Sequence, residues 1–247
     1  MRVSVIGGSG AWPTADQPCS GYLVEHDGFT LLLDPGYATF PGLLATRSAR
    51  EVDAVLVTHQ HPDHCADLNP LLRARSMGDD PCPALPVFSP PDALNAVLAL
   101  DRPGMLDHAY VWNEFTVGER VQIGPFDVDT ALLPHVVPNA GVRITARGRV
   151  VVYTGDTGPS QAIVELAAGA DVLVADASYP EVVPGDLAPY LSSARQAGEY
   201  AAAAKAGRLV LTHLIPGGDS RQALACAARS FTGEIAVARP RLELDLT

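Results

Sequence analysis

The segment Thr58–His64 constrains this chain more than any other, because it places three histidines and an aspartate within six residues, from His59 to His64. It follows directly on Val55-Leu56-Val57, an apolar run typical of a buried strand. Imidazole and carboxylate groups crowded at a strand end are the ligands that a zinc-type site uses. A solvated turn has no comparable need for them. The segment therefore predicts a metal centre.

Three further strand-like apolar runs lead into a residue that can bind a metal, namely His135, Asp156 and His213. In α/β proteins, binding sites form outside the carboxyl ends of strands, where the loops converge. Together with His59, these residues give four strand endings that carry a candidate ligand. We expect them to meet at one site.

The order of these residues, His59-x-His61-x-Asp63-His64 and then His135, Asp156 and His213, resembles the metallo-β-lactamase superfamily, and within it the ribonuclease Z and phosphodiesterase branch. Shorter segments resemble the same branch and extend the likeness from Val3 to about Ala236: they are Asn139–Ile144, Tyr153–Gly158, Asp176–Tyr179 and Ala194–Glu199.

This resemblance implies an α/β fold built as a four-layer αββα sandwich. It implies two divalent metal ions, with zinc expected and manganese or iron as alternatives. The implied ligands of the first ion are His59, His61 and His135, and those of the second are Asp63, His64 and His213, with Asp156 shared between the ions. A hydroxide shared by the ions would attack phosphorus, and Asp63 would orient or deprotonate that nucleophile.

Two departures from the family pattern bear on the substrate. Ribonuclease Z enzymes carry a long arm that grips transfer RNA between the third histidine and the shared aspartate, but here His135 and Asp156 are only 21 positions apart. The family's histidine that assists the departing oxygen aligns with Leu191, and Tyr190 stands one residue earlier. Tyr190 is therefore either a replacement general acid or an ordinary aromatic residue at the rim.

Composition restricts the class of substrate. The net charge of −11 argues against a long nucleic acid, which needs a basic footprint, and favours a small anionic substrate at a locally positive metal pocket. Four widely spaced cysteines, without a Cys-x-x-Cys pair, argue against a thiolate zinc site. There is no apolar run of transmembrane length and no signal peptide, so we expect a cytoplasmic protein that does not engage a membrane. A homodimer is possible by family likeness.

We expect residues 1–247 to form one domain, because the length suits one domain and the runs ending in Thr58-His59 and Thr212-His213 suggest two similar βα halves. Surface connections are expected at Gly78–Pro86 and Pro180–Pro189. Hydrophobic periodicity and turn residues predict thirteen strands and five helices. The strands are 2–7, 21–25, 29–34, 53–58, 87–89, 110–112, 120–123, 126–133, 142–146, 150–154, 172–175, 209–212 and 235–238, and the helices are 64–75, 91–100, 159–168, 194–206 and 220–230.

Residues outside the ligand set have two interpretations each. Asp34 and Asp176 either orient ligating histidines or stabilise turns, and the glycine-rich segment Gly7–Gly10 either cradles a phosphate or forms a tight turn. Trp12 either stacks on a nucleobase or packs in the core.

The favoured function is a metal-dependent phosphodiesterase acting on a small nucleotide-type diester such as a cyclic nucleotide. Hydrolysis of a carboxylic ester, thioester or lactone on the same centre is the alternative within the fold. A non-catalytic, metal-bound sensing protein is the alternative outside enzymes. A lactam hydrolase is disfavoured because such enzymes are normally exported, and a mononuclear iron dioxygenase would not need the second set of ligands.

Overall fold

Two mixed seven-stranded sheets form the centre of the protein in the computed structural model, which describes residues 1–78 and 82–246. The strand order is β14-β1-β2-β3-β4-β5-β6 in the first sheet and β13-β12-β11-β10-β9-β8-β7 in the second. The strands are β1 Arg2–Gly7, β2 Gly21–His26, β3 Phe29–Leu33, β4 Ala54–Leu56, β5 Leu85–Ser89, β6 Tyr110–Glu114, β7 Arg120–Ile123, β8 Phe126–Leu133, β9 Asn139–Ala146, β10 Arg149–Tyr153, β11 Val172–Asp176, β12 Arg208–Thr212, β13 Glu234–Val237 and β14 Glu243–Asp245.

Each sheet has an antiparallel half and a parallel half. Strands β14 to β3 pair antiparallel and β3 to β6 pair parallel, while β7 to β10 pair antiparallel and β10 to β13 pair parallel. Parallel strands require crossovers, and these are supplied by the helices. The helices are α1 Thr39–Leu44, α2 Pro62–Cys65, α3 Leu68–Met77, α4 Asn95–Leu98, α5 Gln161–Leu166, α6 Ala194–Ala204 and α7 Ser220–Ala227, with a 3₁₀ turn at Ala49–Glu51.

Three apolar layers separate the sheets and helices. One lies between the two sheets and includes Leu31 and Val142. A second includes Leu32 and Leu71 and packs α1, α3 and α4 on the first sheet, and a third packs α5, α6 and α7 on the second sheet. Burying each such side chain contributes about 1.5–3 kcal/mol relative to leaving it in water. The alternation of inward-facing residues along β3, with Leu31 facing one layer and Leu32 the next, therefore fixes the αββα order and confirms the predicted fold class.

Several predicted elements differ from the structure. The helix expected at 64–75 is two helices, because Asp67 leaves helical geometry, its N–H bonds to Pro35 O, and its carboxylate accepts from the N–H of Phe40. The helix expected at 91–100 shrinks to α4, since Asp92 has a left-handed φ of 63°. Helix α1 and strand β14 were not predicted. Of the connection predicted at Gly78–Pro86, residues 79–81 lie outside the described residues.

Within the described ranges, no helix combines the length and the apolar content that crossing a bilayer requires.

Candidate metal centre

All seven predicted ligands come together between the two sheets. His59 follows β4 of the first sheet, while His135, Asp156 and His213 follow β8, β10 and β12 of the second. The parallel strands of each sheet end toward the same side, so their loops converge there. His61, Asp63 and His64 join them because helix α2 begins at Pro62, where proline is tolerated in the first turn.

The first cluster consists of three imidazoles and one carboxylate. The nitrogens His59 Nε2 and His135 Nε2 each lie 3.1 Å from His61 Nδ1. Asp156 Oδ2 is 3.8 Å from both His59 Nε2 and His135 Nε2. His61 and His135 are half-buried, so this cluster borders solvent.

The second cluster is buried. Asp63 Oδ2 lies 3.6 Å from His64 Nε2 and 3.3 Å from His213 Nε2. Asp156 belongs to this cluster as well, because its Oδ1 is 3.1 Å from His64 Nε2 and its Oδ2 is 3.1 Å from His213 Nε2. One carboxylate thus stands between two sets of ligands.

These separations fit metal ions. Bonds of about 2.0–2.1 Å in a tetrahedral site place neighbouring ligand atoms about 3.3 Å apart, close to the observed 3.1–3.8 Å. Two buried atoms at the centre, His64 Nε2 and Asp156 Oδ1, lie 3.1 Å apart but form no hydrogen bond with each other or with any other described residue. Such orphaned groups are costly unless something absent from the hydrogen-bond network satisfies them. The residues therefore fit divalent metal.

Outer hydrogen bonds fix the ring orientation of the histidines. Asp34 accepts from His64 Nδ1 at 2.7 Å and from Thr58 Oγ1 at 2.7 Å. Because the Thr58 hydroxyl donates to Asp34, it accepts from His59 Nδ1, which is 3.0 Å away. Tyr153 donates its hydroxyl to the same carboxylate at 2.8 Å. His59 and His64 therefore each carry a proton on Nδ1, and Nε2 faces the cluster.

The second sheet provides the same arrangement for the remaining histidines. Ser178 donates its hydroxyl to Asp176 at 2.7 Å and accepts from His213 Nδ1 at 2.9 Å. His135 Nδ1 donates to the backbone carbonyl of Tyr190 at 2.9 Å. A carboxylate or carbonyl behind an imidazole sets the tautomer and raises the basicity of a metal ligand. Four of the five ligand histidines therefore direct Nε2 to the cluster, as a metal centre requires.

The prediction that Asp34 and Asp176 support ligands is thus in keeping with their contacts. Asp34 stands 2.7 Å from His64 Nδ1 as a hydrogen-bond acceptor, so although it groups geometrically with His59 and His64, its oxygens are already occupied. The Gly7–Gly10 segment is a tight turn rather than a phosphate cradle, because the N–H groups of residues 8–10 bond to carbonyls of Pro18 and Leu214.

In the metal-free site, the buried imidazoles and carboxylates shift one another's pKa values. Burial lowers the pKa of His213, but the carboxylates of Asp156 and Asp63 outweigh it and raise that pKa to about 9. Burial raises the pKa of Asp156, yet His213 and His64 hold it well below its usual range. Asp63 follows the same pattern, with His64 and His213 lowering its pKa against burial. In the second cluster the carboxylates likewise raise the pKa of His64, whereas in the first cluster burial lowers the pKa values of His59, His61 and His135.

Tyr190 lies on a loop that the site holds in place. The carbonyl of Tyr190 accepts a hydrogen bond from His135 Nδ1. Two residues later, the N–H of Ser192 donates to Asp176 Oδ2 at 3.2 Å. Gly158 packs so tightly on this loop that an added Cβ would lie 1.9 Å from Pro189 O. The Tyr190 side chain is exposed, and Leu191 is half-buried. A catalytic role for the Tyr190 hydroxyl stays a prediction.

Sequence reasoning missed three residues at the site: Tyr153, Ser178 and Asn139. Asn139 donates to the carbonyls of Thr154 and Asp156 at 2.9 and 2.7 Å and so holds the loop of the shared carboxylate. The interval from His135 to Asp156 is filled by the β9–β10 hairpin, as expected for a chain without an arm.

Comparison with known proteins gives concordant similarities. Residues 16–214 match the family described as the beta-lactamase superfamily domain. The chain is 30% identical to a probable metallo-hydrolase, YhfI, of Bacillus subtilis, over 97% of each protein. It is also 30% identical to ribonuclease Z of Mycobacterium bovis, over 96% of this chain and 95% of that protein. The crystal structure of the metallo-beta-lactamase fold protein YhfI from Bacillus subtilis superposes with a TM-score of 0.89 at 28% identity, covering 98% of both chains.

Proposed function

The chain belongs to the metallo-β-lactamase superfamily and is a metal-dependent hydrolase, and within that class we propose that it is a phosphodiesterase acting on a small nucleotide-type diester, such as a cyclic nucleotide. The observation that carries the proposal is the position of Asp156, whose two oxygens lie 3.1 Å from His64 Nε2 and from His213 Nε2, with Oδ2 also facing the first cluster. A carboxylate shared in this way suits two ions rather than one, and we propose zinc for both.

When bound, two divalent ions would lower the pKa of water and place positive charge against a phosphoryl group. The protein's own contribution is positional. Asp63 Oδ2 accepts from the N–H of Ala11 at 2.9 Å, which fixes the carboxylate at the edge of the second cluster. Because His64 and His213 hold its pKa low against burial, Asp63 is a weak base. We therefore assign it to ligation and orientation of the nucleophile in preference to proton abstraction.

A small substrate is supported by both shape and charge. The β9–β10 hairpin fills the interval in which a transfer-RNA-gripping arm would be inserted, and the net charge of −11 repels long polyanions. A cytoplasmic location, expected from the sequence, and a homodimer, expected from the family likeness, are further proposals.

Hydrolysis of a carboxylic ester, thioester or lactone is the second candidate. It is favoured by Leu191, an apolar residue at the position where the family has a leaving-group histidine. An ester or thioester with a good leaving group needs less protonation than a phosphodiester with an alkoxide leaving group.

The first test is hydrolysis of bis-p-nitrophenyl phosphate with zinc and with manganese. His64→Ala and Asp156→Ala should each abolish turnover, while His108→Ala should not, because His108 contacts Ser76 far from the centre. Metal analysis should give about two ions per chain, in line with a dinuclear site. Bound metal without turnover of any phosphodiester would reject the proposal and direct attention to p-nitrophenyl esters and thioesters.

The role of Tyr190 has its own test. If its hydroxyl protonates the leaving oxygen, Tyr190→Phe should lower kcat by about 10²-fold or more for a diester with a poor alkoxide leaving group. It should hardly affect p-nitrophenyl substrates, whose leaving group needs no proton. A loss that is equal for both leaving groups, or absent from both, removes Tyr190 from the mechanism.

A further inference from the structure

Three large, exposed apolar side chains belong to loops that carry or contact the candidate metal ligands. Trp12 is 52% exposed, Tyr37 39% and Val136 56%. We call these three residues the apolar rim. Single exposed apolar residues are ordinary on a protein surface, but three that belong to the loops of one catalytic centre form a potential contact surface for its ligand.

The backbone at or next to each rim residue contacts or adjoins a candidate metal ligand. The residue before Trp12 donates its N–H to Asp63 Oδ2 at 2.9 Å, and the Trp12 carbonyl accepts from Ser9 Oγ at 2.9 Å. Tyr37 follows Gly36, whose backbone is so close to Asp63 that an added Cβ would lie 1.8 Å from the Asp63 carbonyl oxygen.

Val136 directly follows His135, itself a member of the first cluster. The three side chains are therefore exposed, while their backbones are fixed relative to the candidate metal ligands. A surface of this kind presents apolar contact area without a large ordering cost on binding.

The charges around the centre restrict the ligand further. In the described part of the chain, the ion pairs of the ligands join only histidines and aspartates, and no lysine or arginine takes part. Sites that bind several phosphate charges use arginine or lysine clamps. Among the described residues, no lysine or arginine that pairs with the ligands is therefore available to a second negative charge on the substrate.

We infer that the substrate is a singly charged diester with an aromatic group beside the scissile bond, and that Trp12 is a specificity-determining residue that stacks on that group. The inference rests on the proposed diesterase function and narrows it. A nucleobase or an aryl group meets the requirement, whereas a polyphosphate or a diester with small alkyl groups does not. An aromatic stacking contact contributes enough to change affinity by about tenfold.

Binding can be measured without turnover by isothermal titration calorimetry, which reports on every variant, and in the unmutated protein also through Trp12 fluorescence. Of the two tryptophans, Trp112 lies on β6 and its Nε1 donates to Ser89, so Trp12 is the reporter near the site. In the metal-loaded protein, diphenyl phosphate should bind about tenfold more tightly than dimethyl phosphate and should quench the Trp12 emission. Trp12→Ala should remove most of this preference, Trp12→Phe should keep most of it, and Val111→Ala, on an exposed strand edge, should leave it unchanged.

Equal binding of the two phosphates, or an undiminished preference in Trp12→Ala, would overturn the inference. Kinetics separate it from the proposed function. If the enzyme cleaves bis-p-nitrophenyl phosphate but diphenyl phosphate and dimethyl phosphate inhibit it equally, the diesterase proposal stands and the rim has no role. If bis-p-nitrophenyl phosphate is not cleaved but the Trp12-dependent preference for diphenyl phosphate persists, the rim is confirmed as an aromatic-binding surface and the diesterase proposal fails.

Discussion

Replacing Asp34 with alanine should destabilise the metal-free protein strongly. This carboxylate is fully buried and accepts four hydrogen bonds: from Thr58 N and Oγ1 and from His64 Nδ1 at 2.7 Å, and from Tyr153 OH at 2.8 Å. Alanine would leave at least two buried donors, Thr58 N–H and Tyr153 O–H, without partners. An unsatisfied buried donor costs about 1–3 kcal/mol. We therefore expect the free energy of unfolding to fall by roughly 3–5 kcal/mol.

The measurement is urea unfolding of chelator-treated protein, followed by zinc titration against a competing chromophoric chelator. Asp34→Asn keeps the shape and one acceptor, so its stability loss should be smaller, but its zinc affinity should fall about 10–100-fold because the support behind His64 loses its charge. Asp16→Ala, at an exposed carboxylate, should change stability by less than about 0.5 kcal/mol. If Asp34→Ala unfolds within about 1 kcal/mol of the wild type, the hydrogen bonds to Asp34 contribute little net stability and the reasoning is wrong.

Three further predictions concern other contacts of the centre. Burial lowers the pKa of His213, but nearby carboxylates raise it to about 9, so its proton stabilises the metal-free fold fully below about pH 6.5. That stabilisation, roughly 3 kcal/mol at most, should be lost as pH rises through about 9; urea midpoints that do not fall between pH 6 and 9 would contradict this. Gly36→Ala should cost about 3 kcal/mol or more because its Cβ would lie 1.8 Å from the Asp63 carbonyl oxygen; thermal melting should show no comparable loss for Gly185→Ala, which meets open space. Ser178→Ala should weaken zinc binding about 10–100-fold by removing the acceptor of His213 Nδ1, and unchanged affinity in the same chelator competition would exclude that role.

The sheets could be predicted from the sequence because their strands are dense in β-branched residues and end at turn residues. Helix α1 could not, since Pro41 and Gly42 lie inside it and both disfavour helix interiors. It is stabilised by tertiary contacts: Leu43 is buried, and Asp67 accepts from the N–H of Phe40. Local propensity cannot report a contact made 27 residues away.

Strand β4 illustrates how the site itself alters the fold. The apolar run predicts a strand to Thr58, but pairing ends at Leu56. The N–H of Thr58 bonds to the Asp34 carboxylate at 2.7 Å instead of continuing the ladder. This hydrogen bond, one residue before His59, therefore outweighs the strand propensity of Val57 and Thr58.

The convergence of the candidate ligands could be predicted because four of them are crowded into one short segment and the others end apolar runs. Their supporting residues were not equally visible. Tyr153 appears in sequence as one more residue of an apolar strand, yet its hydroxyl reaches Asp34, 119 positions away and in the other sheet. The sequence gives no signal for Asn139 either, because its role depends on hydrogen bonds to the carbonyls of Thr154 and Asp156. Such roles depend on the packing of two sheets, which periodicity does not encode.

The centre is asymmetric, and this asymmetry connects the metal geometry with the proposed substrate. Asp63, His64 and His213 are buried, whereas His61 and His135 are half-buried. A ligand must therefore approach from the first cluster, where Val136 adjoins His135. Among the described residues, the ion pairs of the buried side contain no arginine or lysine. A second negative charge on the substrate would therefore enter a region of low dielectric without a partner, which is costly. An apolar or aromatic group at the opening meets no such cost. A centre without arginine or lysine in its described ion pairs therefore suits a substrate with one phosphodiester charge and disfavours polyanions.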